Sequence, residues 1–256
     1  MNLAGARVLV VGGARHLGRA LALDLAQAGA AVAVTSRDAD QAAAAVSAIE
    51  SLGQRAVAVT GDLATPPGAR ALVAGAADAL GGLDAVVFAA SGPFRPRPPE
   101  EIADDAFRAS FTVVADGFFA VAVAAYRRFV AQTEATGGYD EAGRTAGVVV
   151  ALTDALGERP SAAFAAHGAA KAAQIMLVRE LAKAWGPAGV RVCGVSPGPI
   201  DLPDDPRREA SLRAAQRGPS RRLVAPHEVA LAVRLCIEDD ALTGIDLPVD
   251  AGFRLG

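Results

Sequence analysis

Seven short apolar runs recur along this chain, at 7–11, 31–35, 56–60, 85–89, 148–152, 190–195 and 245–249, and every gap between them is long enough for a helix. The runs are dominated by Val, Ala and Leu and mostly lack alternation with polar residues, as expected of strands covered on both faces. Strands alternating with helical stretches predict a parallel sheet joined by right-handed crossovers. Helical patterns fall at 17–28, 40–52, 69–80, 100–132, 162–185 and 226–238, several followed by a glycine suited to a C-cap. The expected fold class is therefore α/β, a doubly wound parallel sheet of about seven strands with helices on both faces. No internal boundary interrupts the pattern, so residues 1–256 are expected to form a single domain. Two segments resist it. Residues 133–147 are polar and read as a surface loop, while 200–220, rich in Pro and Arg, follow a strand's carboxyl end and read as a lid.

Composition narrows the partner. Hydrophobic residues make up 52% of the chain and aromatics only 5%, which implies a closely packed core of Ala, Val and Leu, although a GC-rich gene would enrich Ala as well. The net charge of −3 arises from 25 basic and 28 acidic residues without a block of either sign. Nucleic acid and anionic membrane surfaces are thus not expected, and a small molecule is. Residues 1–11 lack the pattern of a secretory leader, and no run approaches the roughly 20 apolar residues of a membrane span, so a cytoplasmic location is expected. Cys193 and Cys236 lie inside apolar patterns and are expected as buried free thiols. His16, His167 and His227 show no ligand-like spacing among themselves or with the cysteines, and no metal is expected.

Directly after the first strand stands Val11-Gly12-Gly13-Ala14-Arg15-His16-Leu17-Gly18, which opens a helix with apolar spacing at Leu17, Leu21 and Leu25. Glycine is needed where backbone turns tightly and approaches a pyrophosphate, whose charge then sits at a helix N-terminus. A Gly-rich loop in that setting points to a Rossmann-type dinucleotide site. Where the second strand ends, an acidic residue would hold the ribose hydroxyls of NAD; here Ser36-Arg37 stands instead, with Arg15 in the loop. Arginines suit a 2′-phosphate, so NADP(H) is expected in preference to NAD(H). Asp38 next door keeps open the reading that both arginines are merely solvated.

The chain resembles the short-chain dehydrogenase/reductase family. That family's loop, Thr-Gly-x-x-x-Gly-x-Gly, is matched by Gly12 and Gly18, with Val11 for Thr and His16 for the middle Gly. Asp62-Leu63 looks like its adenine-contacting pair, Ala90-Ser91 like the end of its run after the fourth strand, and Ser196-Pro197-Gly198-Pro199-Ile200 like its nicotinamide loop. Pro226-His227-Glu228-Val229-Ala230, Thr243-Gly244 and Val249-Asp250-Ala251-Gly252 are similar to its C-terminal signature. The resemblance implies dinucleotide contacts from these residues and a homo-oligomer, dimer or tetramer.

The resemblance also implies a catalytic Tyr, a Lys four residues later, a Ser thirteen residues before the Tyr and an Asn on the preceding long helix. Mapped by spacing, Lys171 is the Lys, while His167 stands for Tyr, Asp154 for Ser and Val114 for Asn; Leu202 stands where a Thr follows the Pro-Gly loop. Neither tyrosine, Tyr126 or Tyr139, fits the spacing. His167 and Lys171, four apart, share a helix face. Histidine exchanges a proton near neutral pH and a carboxylate can set its tautomer, so Asp154, His167 and Lys171 are the candidate catalytic residues. Asp at the Ser position also resembles the pteridine-reductase branch, in which a Phe stacks on the pterin; Phe94, one residue displaced, is the candidate, with core packing or a lid contact as its alternative reading, and substrate contacts are expected from Phe94, Asp154, His167 and Leu202. The leading expectation is an NADPH-dependent reductase of a C=O or C=N bond. The alternatives are a non-redox lyase, cyclase, isomerase or dehydratase on the same scaffold, or an inactive subunit that supports an active relative in a mixed oligomer.

Overall fold

A computed structural model describes residues 1–92, 95–135 and 145–256. Its strands are β1 (Arg7–Val11), β2 (Ala31–Ser36), β3 (Ala56–Thr60), β4 (Ala85–Phe88), β5 (Gly147–Leu152), β6 (Val190–Pro197) and β7 (Asp246–Val249). They pair in parallel as one seven-stranded sheet in the order β3-β2-β1-β4-β5-β6-β7. The direction of winding reverses between β1 and β4, which opens a crevice at the carboxyl ends of these two strands.

The helices are α1 (His16–Gln27), α2 (Ala39–Glu50), α3 (Pro66–Leu80), α4 (Asp104–Phe111), α5 (Phe118–Ala135), α6 (Ala165–Trp185), α7 (Arg208–Ala215) and α8 (Pro226–Glu238). They cover both faces of the sheet, and successive strand residues serve opposite layers. Val8 and Val10 join the cluster containing Leu21, Ile49 and Val233 of α1, α2 and α8, whereas Leu9 and Val11 join the one containing Val73, Phe118 and Val178 of α3, α5 and α6. Period-two side chains thus bury in two directions at once, which is why these runs show no polar alternation. The expectation of burial on both faces fails at the edges: β3 is buried only at Ala56, and β7 has no fully buried residue, because each has a neighbour on one side only.

The 100–132 stretch is not one helix. Pro99–Glu101 forms a short 3-10 turn, α4 begins at Asp104, and Thr112–Gly117 is a π-helical turn between α4 and α5. Asp104–Ala135 is long and apolar enough by composition to cross a membrane. Here Val114, Phe118, Val121, Ala125 and Phe129 bury against the protein's own core. The 200–220 segment is not wholly loop either, since Arg208–Ala215 forms α7, and α6 starts at Ala165 after a 3-10 turn over Ala162–Phe164. Residues 133–135 of the expected surface loop end α5 and Gly147 begins β5; 136–144 lie outside the described residues.

Cys193 and Cys236 are buried free thiols. Beside them the buried Arg191 guanidinium donates to the carbonyls of Cys236, Ile237 and Leu242, at 2.6, 2.6 and 2.9 Å. A cation there satisfies the orphaned carbonyls that close α8.

Candidate active site

The Gly-rich turn bridges β1 and α1 at the crevice. Gly12 has φ +80°, and a Cβ on it would lie 3.0 Å from the backbone of Ala90 at the end of β4. Its N–H donates to Thr35 Oγ1 at 3.0 Å, which ties the turn to β2. A Cβ at Gly18 would fall 2.1 Å from the Gly12 carbonyl oxygen, so only glycine lets α1 start this close to the turn. His16 stands at φ +47°, a left-handed conformation that glycine takes freely and histidine takes at a cost. Arg15 occupies the N-cap without a side-chain cap bond, leaving the first amides of α1 facing outward from the turn. Leu17 turns instead into the core around α1.

Arg15 and Arg37 are exposed, and among the described residues neither forms an ion pair. Asp38 is engaged as the N-cap of α2, accepting from the N–H groups of Asp40 and Gln41 at 3.0 and 3.1 Å. Ser36 Oγ accepts from the Asp38 N–H at 3.1 Å. Asp62 closes a local turn onto the Ala64 N–H at 3.0 Å, and Leu63 packs at the core edge below Gly117.

Past the end of β5, two of the three candidate catalytic residues are in contact and the third lies one helical turn on. Asp154 follows β5, and its Oδ1 accepts from the Leu156 N–H at 2.8 Å, which orients the carboxylate. Its Oδ2 accepts from His167 Nε2 at 3.1 Å. An ionised carboxylate only accepts, so that ring nitrogen carries the hydrogen. The imidazole is 4% exposed. One turn on, the buried Lys171 ammonium donates to the Leu152 carbonyl at 2.6 Å and to Gln174 Oε1 at 3.0 Å. Burial lowers the Lys171 pKa to about 8, and the Asp154 and Asp246 carboxylates pull it back upward. Asp246 accepts from Thr153 Oγ1 at 2.6 Å, and burial raises its own pKa against that hydrogen bond.

His167 opens onto a cleft of about 310 Å³. Phe164 and Ala166 line it from the α6 side, Ala106 and Ser110 from α4, and Arg95 and Arg97 from the strap after β4. Residues 93–94, and with them Phe94, lie outside the described residues. Ser91 is exposed at the end of β4, and Val114 is buried in the π-helical turn. Pro197 ends β6; Gly198 fits against Asp250, where a Cβ would come within 2.9 Å of backbone, and Ile200 bridges to Val224. Leu202 is half-buried just beyond. Arg207 holds the Asp205 carboxyl near 2 by hydrogen bonds, helped by the charge of His16.

The structure adds residues that were not singled out by sequence. Gln174, fully buried, fixes Lys171, and a helical i+3 spacing from Lys171 is the signal that marks it. Thr153 and Asp246 carry no such signal, because 93 residues separate them and only the β5-β6-β7 pairing brings them together.

The family model for short chain dehydrogenases matches residues 6–210. A 4-formylbenzenesulfonate dehydrogenase of Comamonas testosteroni is 32% identical, with all of both chains covered. An L-rhamnose 1-dehydrogenase (NAD(P)(+)) of a Sphingomonas species is 33% identical over 98% of this chain and 97% of its own. Among solved structures, a short chain dehydrogenase of Burkholderia cenocepacia in complex with NADP superposes with a TM-score of 0.85 at 32% identity, covering 99% of each chain. The order of the seven strands, the Gly-rich turn at the β1/β4 crevice and this full-length similarity place the chain in the short-chain dehydrogenase family.

Proposed function

We propose that this chain is an NADP(H)-dependent oxidoreductase that reduces a C=O or C=N bond of a small, planar, aromatic or pterin-like substrate, with Asp154, His167 and Lys171 as its working residues. The observation that carries the reading is the part-buried His167–Asp154 hydrogen bond, set one helical turn from Lys171, with His167 also lining a cleft.

The residues at the crevice fit a dinucleotide. The space against Ala90 that a Cβ on Gly12 would fill is left open, and the uncapped start of α1 supplies amides for a pyrophosphate. Arg15 and Arg37, without acidic partners, suit a 2′-phosphate, while the carboxylate of Asp38 is committed to capping α2. The NADP in the Burkholderia structure and the NAD(P)(+) in the rhamnose dehydrogenase's name support a nicotinamide dinucleotide and do not choose between the two forms. Ala90, Ser91, Pro197, Gly198 and Ile200 would flank it, with Asp62 and Leu63 toward the adenine. When bound, the nicotinamide supplies the hydride.

The chain's own residues then handle the proton. His167 delivers it to the substrate oxygen or nitrogen, and Asp154 stabilises the protonated ring and keeps it oriented, a role in which general acid catalysis contributes about 10² to 10⁴-fold. Lys171, charged below about pH 8, holds the cofactor side of the site while Gln174 and the Leu152 carbonyl hold it in place.

The test is NADPH consumption at 340 nm against a panel of planar aldehydes, ketones, quinones and pterins. Turnover by the native chain is expected, falling about 10²-fold in kcat for Asp154→Asn with NADPH affinity unchanged. NADPH binding without consumption across the panel would overturn the reading.

A further inference from the structure

The cleft beside His167 carries a charge pattern that proton transfer does not need. Arg95 and Arg97 line it, and among the described residues no acidic one does and neither arginine makes an ion pair. Two arginines of the 200–220 segment behave differently: Arg207 pairs with Asp205 at 2.7 Å, and Arg208 with Asp201 at 2.8 Å. Acidic residues are available on the same segment, but Glu100, Glu101, Asp104 and Asp105 are exposed and none lines the cleft. The segment is anchored at Arg97, whose N–H donates to the Ala163 carbonyl at 2.9 Å in the 3-10 turn that leads into α6. The walls between the arginines and His167 are apolar, from Ile102, Ala103, Ala106 and Phe164.

We infer that Arg95 and Arg97 form an anion-recognition site, and that the substrate carries a carboxylate or like oxyanion at the end of the molecule remote from the bond reduced at His167. Guanidinium groups bind such oxyanions through charge-assisted, often bidentate hydrogen bonds, and the apolar residues between them and His167 offer a surface for the body of the substrate. A volume of about 310 Å³ suits a single ring carrying two substituents. The assignment of the reacting end rests on the reductase reading; the anion site itself does not.

Calorimetry on the full chain with NADP⁺ present, using 4-formylbenzoate against 4-formylbenzamide, separates the two. The carboxylate is expected to bind at least about tenfold more tightly than the amide, with the advantage shrinking as salt rises from about 25 to 250 mM. Arg95→Gln/Arg97→Gln, two exposed positions whose replacement leaves the melting temperature unchanged, is expected to bring the ratio close to one. Equal affinity for the two probes, no binding of either, or an advantage that survives in the double variant overturns the anion site. A preserved carboxylate preference with no NADPH consumption overturns the reductase reading and leaves the anion site standing. Consumption of NADPH with both probes at equal KM does the reverse.

Discussion

Lys171 is the most costly side chain in the crevice. It is 3% exposed, and burial brings its pKa from 10.5 to about 8. A lowered lysine pKa penalises folding wherever the unfolded chain is protonated. The penalty is therefore fully present below pH 8, and stability recovers as pH rises from 8 toward 10.5. At about 1.4 kcal/mol per pH unit, that recovery is roughly 3 kcal/mol. Lys171→Met should lack it. Urea unfolding of both proteins between pH 7.5 and 10 is expected to show a difference that narrows as pH rises, and parallel curves would disprove the assignment. At this scale the sequence was informative where spacing does the work: His167 and Lys171 are four apart on one helix, and Asp154, just past a strand, reaches His167. It was silent about Asp246, whose carboxylate reaches Thr153 only through strand pairing, and about which way Arg95 and Arg97 point along an irregular strap.

The Gly-rich turn is one element with no slack. A methyl group at Gly18 collides with the Gly12 carbonyl oxygen, a backbone atom that cannot swing aside. Gly18→Ala is expected to cost about 2–3 kcal/mol, lower the melting temperature by roughly 5–10 °C, and weaken dinucleotide binding further, because α1 must retreat from the turn. Scanning calorimetry with and without NADPH checks both effects. Elements were legible in proportion to their burial. The seven strands fall within a residue or two of expectation because most are short runs dominated by Val, Ala and Leu. The π-helical turn at Thr112–Gly117 was not legible, since one extra residue per turn barely disturbs a pattern that is apolar nearly all round. Nor was α7: Pro203 and Pro206 precede it and arginines punctuate it, so the local composition reads as loop until tertiary contacts hold the helix.

For the whole molecule, ligand linkage gives the most direct check on cofactor choice. NADPH at a hundred times its Kd should add about 2.7 kcal/mol to stability and raise the melting temperature by roughly 5–10 °C. NADH at the same concentration should raise it by less. Arg15→Glu/Arg37→Glu should erase that difference, and equal shifts in the native chain would count against the 2′-phosphate reading. The sheet order also divides the labour of the molecule. Everything proposed to choose the dinucleotide, Arg15, Ser36 and Arg37, lies on the β1-β2-β3 side of the winding reversal, and Asp154, His167 and Lys171 come from β5 and α6 on the other. A recombination crossover placed between β3 and β4 would cut the gene close to this line. Chimeras built there with a relative should inherit cofactor preference from one parent and proton chemistry from the other, so the two traits can drift, and be engineered, independently.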